Sequence, residues 1–93
     1  MFRCVVQMFG LPSEITELRE VEVELDDGAT LRDVVVALKD KIPALEGTAI
    51  RAGEDQLVEH YKFNVNGRFY YDDMDLQLQS GDRIALLVPI AGG

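Results

Sequence analysis

Residues 25–42 read LDDGATLRDVVVALKDKI, a tight turn that leads directly into a segment of helical period. Asp26-Asp27-Gly28 predicts the turn. Thr30 and Asp33 predict the start of a helix, because a hydroxyl and a carboxylate both stabilise the free amides of a first turn. Apolar residues then recur at i, i+3, i+4, i+7 and i+11, which places on one helix face Leu31, Val34, Val35, Leu38 and Ile42. Pro43 predicts the end of this single, central helix.

The segments on either side of this helix alternate with period two, as strands do. Before it, residues 2–9 and 19–25 each place apolar side chains on one face. After it, Asn66-Gly67 predicts a hairpin turn, and Ser80-Gly81-Asp82 predicts a turn before the last strand, residues 83–88. Glu46 to Glu59 predicts a loop without regular structure. The expected class is α+β, with one helix on one face of a sheet in the order ββαβββ.

The composition restricts the classes of function. Ninety-three residues with 47% apolar content fit one small domain, which leaves no room for a deep enclosed active site. A net charge of −8 argues against a nucleic-acid partner and favours a basic protein surface. No apolar stretch approaches the length of a membrane span, and residues 1–9 lack the features of a signal peptide. We therefore expect a cytosolic protein without a membrane partner.

The side chains offer few candidates for catalysis or metal binding. Cys4 is single and lies in an apolar run, which favours a buried structural thiol over a nucleophile. His60 has no second histidine and no cysteine cluster near it, which disfavours a metal site. The carboxylate pairs Asp26-Asp27 and Asp72-Asp73 could hold Mg²⁺ or act as acid and base. Since aspartate is also a common turn residue, turn formation is the preferred interpretation.

The sequence ends in Ala91-Gly92-Gly93, shortly after the last apolar run. Two successive glycines give a thin and pliable backbone, which could pass through a narrow channel and present the carboxylate of Gly93 to a distant active site. We therefore divide the chain into a folded domain, residues 1–88, and a flexible tail, residues 89–93. The reactive group would be the carboxylate of Gly93 itself.

Four segments in the correct order resemble the β-grasp proteins of the ubiquitin superfamily, and more narrowly their small sulfur carriers. They are the turn into the helix (25–34), the hairpin (65–68), the turn before the last strand (78–84) and the closing segment (88–93). This family includes the small subunit of molybdopterin synthase, the thiamine-pathway sulfur carrier, and the ubiquitin-related and small archaeal modifiers. The resemblance implies a β-grasp fold with a mixed sheet, in which the first and last strands are neighbours.

The resemblance also implies a function for the tail. A ubiquitin-activating-like adenylyltransferase would use ATP to adenylate Gly93, and a sulfur donor would replace AMP to leave a thiocarboxylate. An acceptor enzyme, such as the large subunit of molybdopterin synthase, would then take the sulfur. The chain would be a carrier rather than an enzyme, and it would bind no cofactor itself. Molybdenum or tungsten pterin synthesis is the first candidate for the pathway.

Other functions stay open at this point. The activated terminus could instead be captured by a lysine amine, which would make the chain a protein modifier. Its sulfur could serve transfer-RNA thiolation, thiamine synthesis or cysteine synthesis, because the acceptor is chosen by partners absent from this sequence. The domain could also be a non-covalent interaction module. In that case, deletion of Gly92-Gly93 would leave partner binding unchanged.

Alternation assigns a set of apolar residues to the sheet face away from the helix, where we expect them to dock a partner beside the root of the tail. The set comprises Val5, Phe9, Ala85 and Leu87, with Phe69 and Tyr71 as an extension. Alternatively, Glu46 to Glu59 folds over this face and buries it, or some of these assignments are one residue out of register. The solvent-facing side of the second strand carries Glu20, Glu22 and Glu24. Such a row of carboxylates is typical of solvated surface, but its charge could also steer the chain toward a basic activating enzyme.

Overall fold

The elements follow one another in the predicted order ββαβββ. A computed structural model describes residues 1–8, 20–59, 61–67, 69–71 and 73–87, and the following statements concern these residues. The strands are β1 (Phe2–Met8), β2 (Glu20–Leu25), β3 (Lys62–Val65), β4 (Phe69–Tyr71) and β5 (Arg83–Leu87), and the helix is α1 (Leu31–Lys41). A short 3₁₀ turn, Pro43–Leu45, follows α1.

The five strands form one mixed sheet in the order β2-β1-β5-β3-β4. β1 and β5 are parallel neighbours at its centre, and the other three pairings are antiparallel. The predicted neighbourhood of the first and last strands is therefore confirmed. Because parallel neighbours need a long crossover connection, α1 and the segments around it supply that connection and cover one face of the sheet.

The start of α1 has the chemistry that the sequence predicts. The backbone N–H of Thr30 donates to Oδ2 of Asp33 at 2.9 Å, and the N–H of Asp33 donates to the carbonyl of Thr30 at 3.0 Å. Asp33 thus satisfies an end group of the helix and places a negative charge at the positive end of its dipole. The helix ends ahead of Pro43, with the N–H of Ile42 still bonded to the carbonyl of Leu38 at 2.8 Å.

The core lies between α1 and the inner face of the sheet. The predicted apolar face of the helix is buried, with Leu31, Val34, Val35 and Leu38 at 0% exposure. Opposite it lie the alternating apolar residues of the strands, which are Cys4, Val6, Met8, Val21, Val23, Leu25, Phe63, Ile84 and Leu86. β1, β2 and β5 each contribute every second residue, so the period-two interpretation is confirmed for these three strands.

Residues 46–59 form no helix or strand, as predicted, yet they belong to the core. Ala49 and Ile50 are fully buried, and Leu57 is 7% exposed. Nζ of Lys39 on α1 donates to Oδ1 of Asp55 at 2.7 Å and to the carbonyl of Glu54 at 3.2 Å. The segment therefore packs on the helix side of the sheet, and the alternative that it covers the opposite face is wrong.

The hairpin turn and the turn before β5 are joined by one asparagine side chain. Asn66 has a φ of 58° and Gly67 a φ of 72°, the left-handed values that this residue pair predicts. Nδ2 of Asn66 donates to Oδ1 of Asp82 at 3.0 Å, and its Oδ1 accepts the backbone N–H of Arg83 at 2.9 Å. The β3–β4 turn thereby fixes the point at which β5 begins.

We predict that Ile50→Ala lowers the free energy of unfolding by about 2–5 kcal/mol, because it removes a fully buried side chain and leaves a cavity. Gln56→Ala, an exposed position of the same segment, should change it by less than about 0.5 kcal/mol. Urea denaturation followed by circular dichroism measures both. Equal, small effects would show that residues 46–59 are an appended loop and not part of the core.

Candidate docking face and the root of the tail

The sheet face opposite α1, which we call the open face, brings together part of the predicted patch. Val5 is 36% exposed, and Ala85 and Leu87 are half-buried. Val5 pairs with Arg83 across the β1–β5 ladder, and Gln7 pairs with Ala85. The parallel pairing therefore places Val5 diagonally next to Ala85 on one surface, with Leu87 one step further toward the end of β5.

Polar residues border this apolar strip on both sides of β5. One shallow depression lies between β1 and β5, and a second lies between β5 and β3. Their polar lining residues include Arg3, Gln7, Asn64 and Arg83. Only the apolar residues of the face were predicted from the sequence, and the polar border was not. The alternation that assigned Ala85 to the open face also assigns Arg83 to it, so this border was detectable from the same pattern.

The predicted extension of the patch onto β4 requires a correction. Tyr71 pairs with Phe63 and Phe69 pairs with Val65, while Tyr70 pairs with Asn64. Phe63 is fully buried and Val65 packs against the core. Directly opposed residues of an antiparallel pair share a face. Positions 69 and 71 therefore belong to the helix-facing side of the sheet, and position 70 belongs to the open face, because the hairpin sets the register one residue away from the expected one. Phe9 lies outside the described residues.

The acidic residues of β2 are exposed on the same open face. Glu22 and Glu24 lie 3.4 and 3.5 Å from the guanidinium of Arg3, with all three side chains more than half exposed. Ion pairs of this kind contribute little to stability, because water and salt screen them. These carboxylates are therefore solvated surface, as the sequence predicts, and their contribution to steering stays a prediction.

The root of the tail is a central strand. β5 ends at Leu87 between β1 and β3, and the tail residues Ala91, Gly92 and Gly93 lie outside the described residues. At the end of β5, Leu86 pairs with Met8 of β1 and Leu87 pairs with Lys62 of β3, so both neighbouring strands hold the last described residues of this strand. The open-face residue closest in sequence to the tail is Leu87.

The described residues include no candidate metal centre. No three histidine, cysteine, aspartate or glutamate side chains among them lie close enough together to hold a metal ion. The carbonyl of Asp26 accepts the N–H of Ala29 at 3.0 Å, and Oδ1 of Asp73 accepts the N–H of Asp75 at 3.0 Å, which supports the turn interpretation of the carboxylate pairs. Asp72 and His60 lie outside the described residues. No described helix is long and apolar enough to cross a membrane.

Comparison with protein families gives a match over nearly the whole chain. The model of the ThiS family matches residues 6–93. The chain belongs to this family. Small archaeal modifier proteins 3 and 1 of Haloferax volcanii are 30% and 32% identical to it over 90 and 88 residues, which cover 95% and 94% of this chain and 96% and 97% of those proteins. The ThiS-family chain is thus a small ubiquitin-like carrier or modifier protein rather than an enzyme, as the resemblance implied.

Solved structures support the β-grasp fold of this ThiS-family chain. The crystal structure of the small archaeal modifier protein 1 of Haloferax volcanii aligns with a TM-score of 0.79 at 28% identity, covering 98% of this chain and 99% of that one. A complex of subunits 1 and 2 of the molybdopterin-converting factor from Helicobacter pylori contains a chain that aligns with a TM-score of 0.63 at 23% identity, covering 99% of this chain and 100% of that one. The second likeness shows the fold alone.

Cys4 is 1% exposed, and burial, with a smaller contribution from the charge of Asp82, raises the pKa of its thiol. A raised pKa keeps the thiol neutral, so we predict slow labelling by a thiol reagent at pH 8 in the native protein and rapid labelling in guanidinium chloride. The unfolded thiol ionises near pH 8.5, before the folded one, so this group should lower stability as the pH rises above that value. Rapid labelling of the native protein would contradict this account.

Proposed function

We propose that this chain carries sulfur as a thiocarboxylate on Gly93. An oxygen of the Gly93 carboxylate attacks the α-phosphorus of ATP in a ubiquitin-activating-like adenylyltransferase, and pyrophosphate leaves. A sulfide-level sulfur from a donor protein then attacks the carbonyl carbon, and AMP leaves. The acyl adenylate is needed because a carboxylate is a poor electrophile, whereas AMP is a good leaving group. The proposed location is the cytoplasm, which supplies the ATP.

The observation that carries this proposal is the family match, which extends through the glycine pair to residue 93. The fold adds support, because β5, the strand that precedes the tail in sequence, lies at the centre of the sheet. A carrier of this kind needs a rigid domain to be recognised and a pliable terminus to be modified. The division into residues 1–88 and 89–93 fits that requirement.

The sulfur acceptor is proposed to be the large subunit of a molybdopterin synthase. The complex from Helicobacter pylori joins two subunits of a molybdopterin-converting factor, and its smaller chain shares this fold. By analogy, the open face would dock the acceptor and direct the tail into its active site. The apolar strip of Val5, Ala85 and Leu87 is suited to such contact, because its exposed apolar area lies beside the strand that leads to the tail.

Protein modification is the second candidate. It is favoured by the two relatives of at least 30% identity, both of which are small archaeal modifier proteins. In this case a lysine Nζ attacks the activated carbonyl of Gly93, AMP leaves, the nitrogen loses a proton and an isopeptide forms. Trypsin cleaves after Arg83, so a target lysine would retain the ten residues Ile84 to Gly93.

The test of Gly93 is an activation assay with the adenylyltransferase of the same cell. We predict pyrophosphate exchange into ATP that depends on the full chain and falls to background when Gly93 is deleted. Addition of sulfide should then give the thiocarboxylate, whereas a lysine-containing target would give the isopeptide remnant. If the full chain supports no exchange above background, both covalent functions are wrong and the non-covalent module remains.

Matched substitutions of two valines, one on the open face and one on α1, test whether the open face docks the activating enzyme. We predict that Val5→Ser lowers kcat/KM for activation about fivefold to tenfold, because it removes an apolar contact worth roughly 1 kcal/mol. Val36→Ser, which changes a valine 46% exposed on α1, should leave kcat/KM unchanged. Circular dichroism verifies that both variants are folded. Equal rates for Val5→Ser and the parent chain would place the enzyme contact elsewhere.

A further inference from the structure

A second surface lies between β2 and α1, away from the open face. It is a groove formed by the end of β2, the turn that follows and one side of the helix. Its helix residues, Asp33, Val36, Ala37 and Asp40, fall at i, i+3, i+4 and i+7 and therefore form one stripe along α1. Val36 is 46% exposed, which makes it one of only three large apolar side chains exposed among the described residues.

No described strand pairs with the side of β2 beside this groove. β2 is the terminal strand of the sheet, and β1 is its one partner among the described strands. In an antiparallel ladder every second residue points its N–H and C=O away from the partner. The outer side of β2 therefore presents a row of free donors and acceptors, the feature to which an extended peptide adds as a further strand.

The ionisable side chains that line the groove are all acidic. The ionisable residues that line the groove are Glu24, Asp26, Asp27, Asp33 and Asp40, and no lysine or arginine lines it. Arg3 contacts Glu22 and Glu24 from the inner neighbour β1, and the ammonium of Met1 contacts Asp27 at 3.3 Å. Neither contact covers the outer edge of β2, so a cation of a partner finds carboxylates there.

The face pattern of β2 specifies what an added strand must carry. Val21 and Val23 point inward and are buried, while Glu20, Glu22 and Glu24 are exposed on the open face. Side chains of an added strand lie opposite these residues on the same two faces. Its inward residues would meet Val36 and Ala37 of the groove and should be apolar, and its outward residues would meet the row of glutamates and should be basic.

We propose that the outer edge of β2 and the adjoining groove bind an extended segment of a partner protein in which lysine or arginine alternates with apolar residues. A second copy of this chain is the wrong occupant. Its own β2 reads Glu-Val-Glu-Val-Glu-Leu, and edge-to-edge pairing would set glutamate against glutamate. Charge complementarity thus selects a basic, amphipathic strand.

The location of this surface allows a segment to bind there while the tail lies in the active site of another partner. Phe2 pairs with Leu25 at one end of β1, and Met8 pairs with Leu86 at the other. The groove therefore lies beside the Phe2 end of β1, opposite the Met8 end that β5 pairs, and the outer edge of β2 is separated from β5 by the whole of β1. A bound segment would leave the tail and its root uncovered, and its binding does not depend on the sulfur chemistry proposed above.

The test uses the full chain labelled with ¹⁵N and a six-residue peptide of alternating lysine and valine, blocked at both ends. We expect chemical-shift changes in β2 and along residues 33–40, and slower hydrogen exchange of the outward amides of β2. The same peptide methylated at every internal amide nitrogen should bind at least tenfold more weakly, because it cannot form the ladder. A peptide of alternating glutamate and valine should not bind.

Two matched pairs of variants locate the contact. Val36→Ser and Glu22→Gln should each weaken peptide binding at least threefold, whereas Val5→Ser on the open face and Glu59→Gln outside the groove should not. Equal binding of the methylated peptide would reduce the interaction to charge attraction and overturn the proposal. No binding at millimolar peptide, or shifts centred on Ala85 and Leu87, would also overturn it. The activation assay of Gly93 is unaffected by any of these outcomes, so the two proposals fail separately.

Discussion

The parallel pairing of β1 with β5 is the constraint on which the rest of the structure depends. It joins the first strand to the last described one at the centre of the sheet, so the chain between them must cross over one face, and α1 with residues 43–59 occupies that face. Val6, Ile84 and Leu86 of this pair are buried beneath the crossover. The same pairing places Val5 diagonally next to Ala85 on the other face and holds β5 between two bonded neighbours.

The features that depend on local chemistry were predictable from the sequence. Asp33 at the start of α1, the Asn66-Gly67 turn and the alternation of β2 each depend on residues a few positions apart, and the structure has all three. The features that depend on distant partners were not. The burial of Ile50 follows from its packing in the core, and the contact of Lys39 with Asp55 joins residues 16 positions apart.

The same distinction between local and distant features applies to the candidate docking face. The sequence predicts Val5, Ala85 and Leu87 on the open face because alternation along a strand determines the face of each residue. The assignment of Phe69 and Tyr71 required the register of β4 against β3, which a short strand does not specify by its own pattern. The β2–α1 groove was not predicted from the sequence, for a third reason. Asp26, Asp27 and Gly28 were explained by a turn and Asp33 by the start of the helix. Only the fold shows that these residues line one surface with Val36, Ala37 and Asp40.

The domain therefore separates recognition from chemistry. The sheet presents an apolar strip on its open face and an acidic strand, β2, at its lateral edge, while the proposed chemistry takes place on the tail. Such a division suits a carrier, because one terminus can visit an activating enzyme and an acceptor in turn while the same folded surface is recognised by each. Affinity then depends on the few apolar contacts of the face rather than on the whole charged surface.

The most direct test of this account is the intact mass of the chain purified from its native cells, with fragmentation to locate any change. The account predicts that part of the population carries sulfur in place of one oxygen on Gly93, and that a chain lacking Gly93 never does. Two results together would contradict it. The terminus would remain an unmodified carboxylate in cells that are actively making the pterin cofactor, and the chain that lacks Gly93 would function normally.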